Sequence, residues 1–581
     1  MAKAANSDPA PEGKIRKIKI SNFRGIGATP VEIEIDDIVV LVGPNNSGKS
    51  SILRAYETIM HGSGKNAQLK REDFPNLNVN DDRLPTVIVE TLVENDAGVG
   101  DQWVDNSDGT FLIQEKFTWT DVNVDPQIYG FLPKEGRWAT SDDKPARPFG
   151  PANIAKSRRP TPISVHAFQS PEDQAKEVNK VARDILKAKA SLYKSEEDNE
   201  KTDLEQLIEF VEVFHDNVAE SAKFDIAVIS QQLSDIIEKV FPGYKVEFKP
   251  EAELTKVSPD LFFSASGDLF MGPEDEMLPI SRQGSGAQRT LLWAALKVLS
   301  QHNETKSARP RLLLIDEPEL CLHPKAIREA RDTLYNLAHE LNWQVMLTTH
   351  SPIFIDFTQD HTKVARVERD ASGVVNGTTI FRPDSSVFDK DDKDNFKILN
   401  LCDPYVAEFF FGGNVILVEG DTEYSAFKLV ASELGGDYPN VHIVRARGKA
   451  TIASLCKVLN QFKTGYSILH DSDTPLAASG NKNPAWAINS NILDVVNAAH
   501  DSSKIQLVAS ITNFETAYLK TENRSDKPYN AVLELREGGE AYEKVAQLLK
   551  ALIDPAQNLP DGAVRWNDID KLEKLVKTAR S

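Results

Sequence analysis

The pattern of apolar and polar positions predicts a β-rich beginning of the chain. From Lys14, basic and apolar residues alternate in KIRKIKISNFRGIG, and the runs VEIEI and IVVLVG follow. Such alternation is typical of half-buried strands. Short β-branched and aromatic runs extend the strand pattern from Asp82 to Trp119, whereas Val122 to Pro160 is rich in Pro, Gly and charge and is predicted to form loops.

The pattern becomes helical between Ser170 and Val240. Two long amphipathic segments flank the polar stretch SEEDNEKTD, which indicates a helical hairpin with a charged tip. A solvated helical layer and a dimerisation arm both remain open for this hairpin. Strands and helices then alternate through LLLIDEPEL and QVMLTTHSP, as in α/β folds. The charged segment from Asp384 to Lys397 predicts a linker edge, and a second α/β block begins at Asn414.

Length and charge narrow the classes of protein to which the chain can belong. At roughly 150 residues per domain, 581 residues predict two to four domains. The 67 Lys and Arg residues face 87 Asp and Glu residues, giving a net charge of −20. Nucleic acid and anionic membrane are repelled by such a chain, so any polyanion site must be a local basic patch.

Cysteine usage and hydropathy predict a protein of a reducing cytoplasm. Cys321, Cys402 and Cys456 are far apart and form no CxxC pair, which supports neither a zinc knuckle nor a disulfide framework. No segment reaches the roughly 18 consecutive apolar residues that suggest a membrane span. Residues 1–13 lack the apolar core of a signal peptide and are expected to be a disordered tail.

A glycine-rich motif follows the apolar run IVVLV. Its sequence is Gly43-Pro44-Asn45-Asn46-Ser47-Gly48-Lys49-Ser50, which matches GxxxxGK[ST] between a strand and the helical segment SSILRAYETIM. In such a loop the backbone amides surround phosphate oxygens, the lysine approaches the β and γ phosphates, and the serine hydroxyl ligates Mg²⁺. The predicted nucleotide-binding residues are Gly43, Asn45, Asn46, Gly48, Lys49, Ser50 and Ser51.

Two later strand ends carry residues suited to nucleotide hydrolysis. The apolar run Leu312–Ile315 ends in Asp316 and Glu317, predicted to hold magnesium and to polarise the attacking water respectively. A further strand ends before His350, at the edge of the sheet where ligands bind. We predict that His350 senses the γ-phosphate; a purely structural histidine is the alternative.

The segment Ser285-Gly286-Ala287-Gln288-Arg289 opens an apolar helix, where free amides and a hydroxyl suit an anion. It resembles the ABC-type ATPase signature LSGGQ, with Ala287 in place of the second glycine. The order of the motifs resembles that of the RecF and SMC-like ATPases. This resemblance implies that Ser285, Gly286 and Gln288 of one subunit complete the ATP site of another, and that ATP drives pairing of the heads.

Acidic residues follow two strands of the second α/β block. The run Val415–Val418 precedes Glu419 and, four positions later, Glu423, which places two carboxylates near one crevice. An acidic helix N-terminus is the alternative there. Another short strand ends in Asp471-Ser472-Asp473, where alternation points both acids to one side, a common arrangement for Mg²⁺.

A glutamate after one strand and DxD after a later one resemble a TOPRIM domain, which continues to Glu515. An ATPase of the RecF type followed by TOPRIM resembles the OLD (overcoming lysogenization defect) family of ATP-dependent nucleases over nearly the whole chain, and less decisively relatives in Gabija-type phage-defence systems. The resemblance implies that Glu419 and Glu423 bind one divalent ion and Asp471 and Asp473 another, with Glu515 assisting.

The same resemblance implies ATP and Mg²⁺ as cofactors, with Mn²⁺ an alternative at the nuclease site. It implies double-stranded DNA as substrate and a homodimer or larger oligomer, and leaves a helicase partner open. It also implies a late basic residue near the scissile phosphate, for which Lys571, Lys574 and Lys577 are equal candidates.

Local positive charge predicts where DNA would bind. Arg445, Arg447 and Lys449 lie on one glycine-containing loop between the acidic motifs and are predicted to contact phosphate; a merely solvated loop is the alternative. A second candidate is the run of cations near the start of the chain, which would also suit an edge strand protected against aggregation. Its members are Lys14, Arg16, Lys17 and Lys19.

We therefore predict an α/β protein with an ABC/SMC-like ATPase head, an inserted helical arm and a C-terminal TOPRIM domain. The expected segments are a tail (1–13), an ATPase part (14–169), the arm (170–241), a second ATPase part (242–385), a linker (386–413) and TOPRIM (414–581). The predicted activity is ATP-regulated, metal-dependent DNA cleavage or nicking. Two alternatives are a DNA-loading ATPase and a topoisomerase-like strand transferase, for which Tyr466 and Tyr518 lack a diagnostic setting.

Overall fold

The computed structural model describes two compact units. The described residues are 14–79, 82–92, 99–106, 111–150, 159–166, 173, 176, 206, 270–271, 278–302, 311–341, 343–356, 358–370, 373–382, 387–403, 406–411, 413–434, 441–462, 465–477, 479–520 and 525–580. The first unit comprises 1–167, 309–320 and 342–581, and the second comprises 168–308 and 321–341. The predicted tail and nearly all of the predicted helical arm lie outside the described residues.

The strands are Lys14–Ser21 (β1), Val31–Glu34 (β2), Ile38–Val42 (β3), Thr86–Leu92 (β4), Leu112–Thr118 (β5), Gln127–Leu132 (β6), Arg137–Trp138 (β7), Thr161–Val165 (β8), Phe270–Met271 (β9), Leu278–Pro279 (β10), Arg311–Asp316 (β11), Gln344–Thr348 (β12), Thr362–Arg369 (β13), Val375–Phe381 (β14), Asn414–Val418 (β15), Val441–Arg445 (β16), Tyr466–Asp471 (β17), Ile505–Ser510 (β18) and Ala563–Arg565 (β19). The α-helices are Lys49–His61 (α1), Ser285–His302 (α2), Pro324–Leu341 (α3), Lys390–Cys402 (α4), Asp421–Leu434 (α5), Lys449–Gln461 (α6), Pro484–Asn497 (α7), Phe514–Tyr518 (α8), Lys527–Arg536 (α9), Glu540–Ile553 (α10) and Ile569–Arg580 (α11). No helix among the described residues is both long enough and apolar enough to cross a membrane.

Two sheets of six strands form the ATPase part of the first unit. The antiparallel sheet has the order β2-β1-β4-β5-β6-β7, and the other has the order β14-β13-β3-β12-β11-β8, in which only β14 is antiparallel to its neighbour. Every residue of β3 is buried, as expected for a strand covered on both faces. Ile52 and Tyr56 of α1 join the apolar core to which both sheets contribute.

The prediction of loops between Val122 and Pro160 is wrong where β6 and β7 form. Alternate residues of β6 are buried, and the strand pairs with β5. Gly130 is required in β6 because a Cβ there would lie 2.5 Å from the ring of Trp103. Pairing and packing thus override a local composition that is typical of loops.

The TOPRIM part of the first unit is built on a third sheet, with the order β16-β15-β17-β18-β19. The first four strands are parallel and β19 is antiparallel to β18. Helices α5, α8, α9 and α10 pack buried side chains against this sheet, including Phe427, Phe514 and Leu549. Because the strands are parallel, the residues that follow β15, β16, β17 and β18 gather at one edge.

The segment expected to be a linker, 386–413, is folded wherever the structure describes it. Asp389 caps α4 through a capping box with Asp392, and a 3₁₀ helix covers Val406–Phe411. Charged residues are frequent in this segment, but several of its aromatic side chains are buried and pack against one another, whereas Val387 and Ile398 are exposed. The buried residues include Phe388, Phe396, Phe409 and Phe410.

This folded segment joins the ATPase and TOPRIM parts through Arg366 of β13. Its buried guanidinium donates to the carbonyl oxygen of Phe410 (3.1 Å) and lies over the ring of Phe462 at 5.3 Å. At the next position of the same strand, the carbonyl oxygen of Val367 contacts Gly43 closely. β13 therefore contacts both the glycine-rich loop and the cluster of Phe409, Phe410 and Phe462, which we call the aromatic junction.

Candidate active sites

The glycine-rich loop connects β3 to α1 with a backbone that only glycine adopts easily at two positions. Gly43 has φ 141° and Gly48 has φ 109°. A Cβ on Gly43 would lie 2.0 Å from the carbonyl oxygen of Val367. Both glycines are therefore needed for the shape of the loop, as the sequence motif predicts.

Lys49 lies at the centre of this loop. Its buried Nζ donates to the carbonyl oxygens of Gly43 (2.9 Å) and Pro44 (2.8 Å). Burial lowers the pKa of Lys49, although the nearby carboxylates of Glu317 and Asp316 oppose this effect. The loop thus holds an ammonium where phosphate oxygens would enter.

The predicted magnesium residues Ser50 and Asp316 come together although they lie 266 positions apart. Ser50 Oγ donates to Asp316 Oδ1 at 3.1 Å, and Thr348 Oγ1 donates to the same oxygen at 2.5 Å. Thr348 was missed from the sequence; its place as the last residue of a strand beside β11 was the available signal. A hydroxyl and a carboxylate here fit a magnesium ion bound with ATP.

Glu317 and His350 face each other beside this pair. Glu317 has φ 51°, and its backbone N–H donates to the carbonyl oxygen of Thr348 (3.1 Å). Its Oε1 lies 3.8 Å from Nε2 of His350. Burial, followed by the charge of Lys49, lowers the pKa of His350, although the carboxylates of Glu317 and Asp316 oppose this effect.

Glu319 is a further residue of this site that sequence reasoning missed. Its carboxylate accepts from the backbone N–H of His350 (2.7 Å) and from Thr349 Oγ1 (2.9 Å). Burial raises the pKa of Glu319. The sequence signal was a third acid in DEPEL, and the contacts give it the role of holding the loop that carries His350.

The signature-like segment belongs to the second unit and begins α2. Gly286 packs against the carbonyl of Cys321, where a Cβ would lie 2.6 Å from the oxygen. Gln288 is fully buried and donates to the carbonyl oxygens of Ile280 (2.8 Å) and Gln283 (3.1 Å). Ser285 and Gly286 thus open the helix, whereas Gln288 holds the preceding turn together and does not face outward toward another subunit's nucleotide.

The predicted carboxylates of the TOPRIM part gather at the carboxyl edge of its sheet. Glu419 follows β15, Asp471 ends β17, and Glu423 and Glu515 lie in the first turns of α5 and α8. The backbone N–H of Asp471 donates to Glu419 Oε2 (3.0 Å), and Thr422 Oγ1 donates to Glu515 Oε1 (3.2 Å).

Burial and mutual repulsion disfavour the ionised form of the carboxylates at this edge. Burial raises the pKa of Asp471 well above its usual value, and the charges of Glu423, Glu419 and Glu515 raise it further. Burial likewise raises the pKa of Glu423 to about 7 and raises that of Glu419. A bound divalent cation would relieve this repulsion, and carboxylate oxygens are the ligands that hard cations such as Mg²⁺ or Mn²⁺ take.

The oxygens of these carboxylates do not form a closed cation cage. Among the described residues, three ligand atoms lie within 4.8 Å of one another only at Asp36, Asp37 and His361. Lys14 pairs with Asp37 and Lys363 with Asp36 there, which supplies local positive charge. At the TOPRIM edge, ion binding would therefore draw carboxylate oxygens closer together.

Two lysines contact the TOPRIM carboxylates. Lys449 is 5% exposed, and its Nζ lies 2.6 Å from Asp473 Oδ2. Lys527 Nζ lies 3.3 Å from Glu515 Oε1. The sequence placed Lys449 on a basic loop, although its position at the start of a helix after β16 indicated the same sheet edge. Nothing in the sequence indicated Lys527.

The structure corrects the prediction that the basic loop presents three cations to DNA. Arg445 pairs with Asp403 (2.9 Å) and Asp421 (3.0 Å), while Lys449 is buried beside Asp473. Only Arg447 is exposed among the three predicted residues. Two of the three cations, Arg445 and Lys449, therefore act as counter-ions to acidic side chains.

The other basic candidates are placed as follows. β1 is an interior strand of its sheet, and its Lys14 and Lys19 pair with Asp37 and Glu32, so the edge-strand alternative for this run is wrong. Three late lysines are exposed on α11, and one of them pairs with Glu573. They are Lys571, Lys574 and Lys577.

Neither tyrosine considered for strand transfer presents a free hydroxyl. Tyr466 is buried and donates to Asn460 Oδ1 (2.8 Å). Tyr518 is buried, its hydroxyl accepts from Ser510 Oγ (3.4 Å), and burial raises its pKa. A covalent tyrosine intermediate has no support at these positions.

Comparisons with known proteins match both parts of the chain. The AAA ATPase domain family matches residues 14–118 and 151–355. The "Overcoming lysogenization defect protein-like, TOPRIM domain" family matches residues 410–473.

Two curated relatives cover most of the sequence. Old nuclease of Escherichia phage P2 is 24% identical over 87% of this chain and 85% of its own. OLD nuclease of Thermus scotoductus is 24% identical over 79% of this chain and 82% of its own. A crystal structure of an Smc head bound to the C-winged helix domain of ScpA covers 63% of this chain and 98% of that one, at 15% identity and a TM-score of 0.36.

Proposed function

Because the chain belongs to the AAA ATPase domain family and carries an OLD-like TOPRIM domain, we propose that it is an ATP-regulated, divalent-metal-dependent endonuclease that cuts or nicks double-stranded DNA. The observation that carries the proposal is the cluster of five carboxylates at the TOPRIM sheet edge, of which Glu423 and Glu515 are buried. Two relatives named as nucleases support it. Phage defence and DNA processing are the settings that we propose for this activity.

The residues that would hold divalent ions are Glu419, Glu423, Asp471, Asp473 and Glu515. When bound, such ions supply a hydroxide nucleophile and stabilise the leaving oxygen of the phosphodiester. Backbone N–H groups fix two of the carboxylates: that of Phe514 donates to Asp471 Oδ1 (2.8 Å) and that of Gly420 to Glu423 Oε2 (3.2 Å). Arg447, exposed beside this edge in the chain, is our candidate for contact with DNA phosphate.

The ATPase residues divide their tasks according to their contacts. Lys49 and the loop amides bind phosphate oxygens, and Ser50 with Asp316 holds magnesium. Glu317 accepts a proton from the attacking water, and His350 contacts the γ-phosphate. Ser285 and Gly286 would complete the site of a second copy, which makes the proposed assembly a homodimer or larger oligomer.

The test is incubation of the purified protein with supercoiled plasmid, with and without Mg²⁺ or Mn²⁺, over a series of ATP concentrations. We expect open-circular or linear DNA only when a divalent ion is present, in an amount that depends on ATP. ATP hydrolysis stimulated by DNA without any cleavage would support the DNA-loading ATPase instead.

Lys49→Ala should weaken ATP binding about 100-fold, because hydrogen bonds from an ammonium to phosphate contribute about 1.5–3 kcal/mol each. Binding of a fluorescent ATP analogue measures this change. Metal-dependent cleavage should persist, since the carboxylates are a separate site, but should no longer respond to ATP. Lys65→Ala, an exposed lysine that follows α1, is the matched control and should bind ATP normally. Unchanged affinity in Lys49→Ala would remove the loop from the ATP site.

A further inference from the structure

The two lysines divide the TOPRIM carboxylates into two groups. Lys449 pairs with Asp473, and Lys527 pairs with Glu515. Within the part of the chain that the structure describes, Glu419, Glu423 and Asp471 form no ion pair with lysine or arginine. The lysines of the site are thus paired with Asp473 and Glu515.

Lys449 is anchored where it stands by the backbone around it. The N–H of Ala446 donates to the carbonyl oxygen of Val418 (2.8 Å), and that of Gly448 donates to the carbonyl oxygen of Glu419 (3.0 Å). The strand and loop that carry Glu419 therefore also fix the start of α6. The anchored backbone and the burial of the side chain together keep the ammonium of Lys449 beside Asp473.

Asp473 is anchored equally well on the other side of the ion pair. Its backbone N–H donates to the carbonyl oxygen of Thr512 (2.9 Å), and its φ of 57° turns the chain sharply after β17. A left-handed backbone in a residue other than glycine persists only where its surroundings hold it. Both partners of the pair are therefore held before any ion binds.

We propose that the ammonium of Lys449 takes the place that a second divalent ion would occupy. The resting protein therefore binds one ion, through Glu419, Glu423 and Asp471. A second ion binds through Asp473 only after the ammonium leaves that carboxylate. This inference rests on the proposed metal-dependent function. The sequence suggests two ions, each bound by two carboxylates. The inference instead gives one site that is free to bind an ion and a second site that the ammonium of Lys449 blocks.

Removing the ammonium should open the second site. Lys449→Met keeps an unbranched apolar stem but leaves the half-buried Asp473 without its counter-ion, so that this carboxylate becomes available to a cation. In a titration of the full-length protein with Mn²⁺, followed by the electron paramagnetic resonance signal of free Mn²⁺, we expect one more bound ion per chain than in the wild type. At the second site, affinity should rise at least about tenfold.

The titration is made without nucleotide. It compares the number of Mn²⁺ ions bound by the wild type and by Lys449→Met, so ions bound elsewhere in the chain contribute equally to both counts. Arg447→Met is the matched control, because Arg447 lies two residues from Lys449 but is exposed; its ion count should equal that of the wild type. Equal counts in the wild type and Lys449→Met would overturn the inference.

A second variant tests the proposal even if Lys449→Met does not fold. Asp473→Asn should bind as many ions as the wild type, because Asp473 holds Lys449 and no ion in the resting protein. Loss of an ion in Asp473→Asn would overturn the inference and leave the metal-dependent function intact. If the wild type binds no more Mn²⁺ than Asp471→Asn, the metal-dependent function fails together with the inference.

Discussion

The Asp471→Asn variant should cut supercoiled plasmid at least about 10³-fold more slowly than the wild type and still hydrolyse ATP normally. Asparagine is similar in size and keeps an oxygen that can accept from the N–H of Phe514, so the turn after β17 can persist. It removes the negative charge on which ion binding depends. Cleavage and ATP hydrolysis are measured on the same preparations.

Thermal melting separates this loss from unfolding. Because repulsion and burial disfavour ionised Asp471 in the folded protein, the neutral amide should raise the melting temperature measured without metal. Added Mn²⁺ should then stabilise the variant less than it stabilises the wild type. Asp494→Asn, an exposed position on α7, is the control and should resemble the wild type throughout. Plasmid cleavage at the wild-type rate by Asp471→Asn would refute the nuclease proposal.

Glu317→Gln should bind ATP with wild-type affinity and hydrolyse it about 10²- to 10³-fold more slowly. A positioned general base contributes about this much to a rate, and glutamine has the same size without the ability to accept the proton. The backbone N–H bond to Thr348, which fixes the position of Glu317, does not involve the altered side chain. Phosphate release and binding of an ATP analogue are the two measurements.

Glu319→Gln provides the contrast, since Glu319 touches the loop that carries His350 rather than facing its ring. Its amide can still accept one of the two hydrogen bonds, so hydrolysis should slow by less than about tenfold. If Glu319→Gln were the slower variant and Glu317→Gln normal, the general base would be Glu319.

The sequence predicted those parts of the sites that local motifs and strand ends determine. The glycine-rich loop is fixed by residues adjacent in the chain, and Glu419 and Asp471 follow apolar strands that end at one edge of a parallel sheet. The family comparisons confirm the ATPase and TOPRIM prediction. The assignment of individual site residues stays a prediction until the variants are measured.

Partners chosen by tertiary packing could not be predicted from the sequence. Lys449 and Asp473 lie 24 positions apart, and only the packed sheet decides that this ammonium meets that carboxylate and not a phosphate. The same holds for Lys527 and for β6, whose pairing with β5 outweighs its composition. The charged residues of 387–403 led to the prediction of a linker, although aromatic side chains of the same segment pack against its neighbours.

The aromatic junction also determines how the gene could be divided. A fragment beginning at residue 414 would contain the whole TOPRIM sheet but would leave Phe409 and Phe410 behind, and with them the cover of Phe462. In the complementary fragment, Arg366 would keep the carbonyl oxygens that accept its hydrogen bonds but would lose the ring of Phe462. Exchange of nuclease modules between relatives would therefore have to carry residues 387–411 along, and β13 would have to match them. The unit of recombination is larger than the catalytic domain.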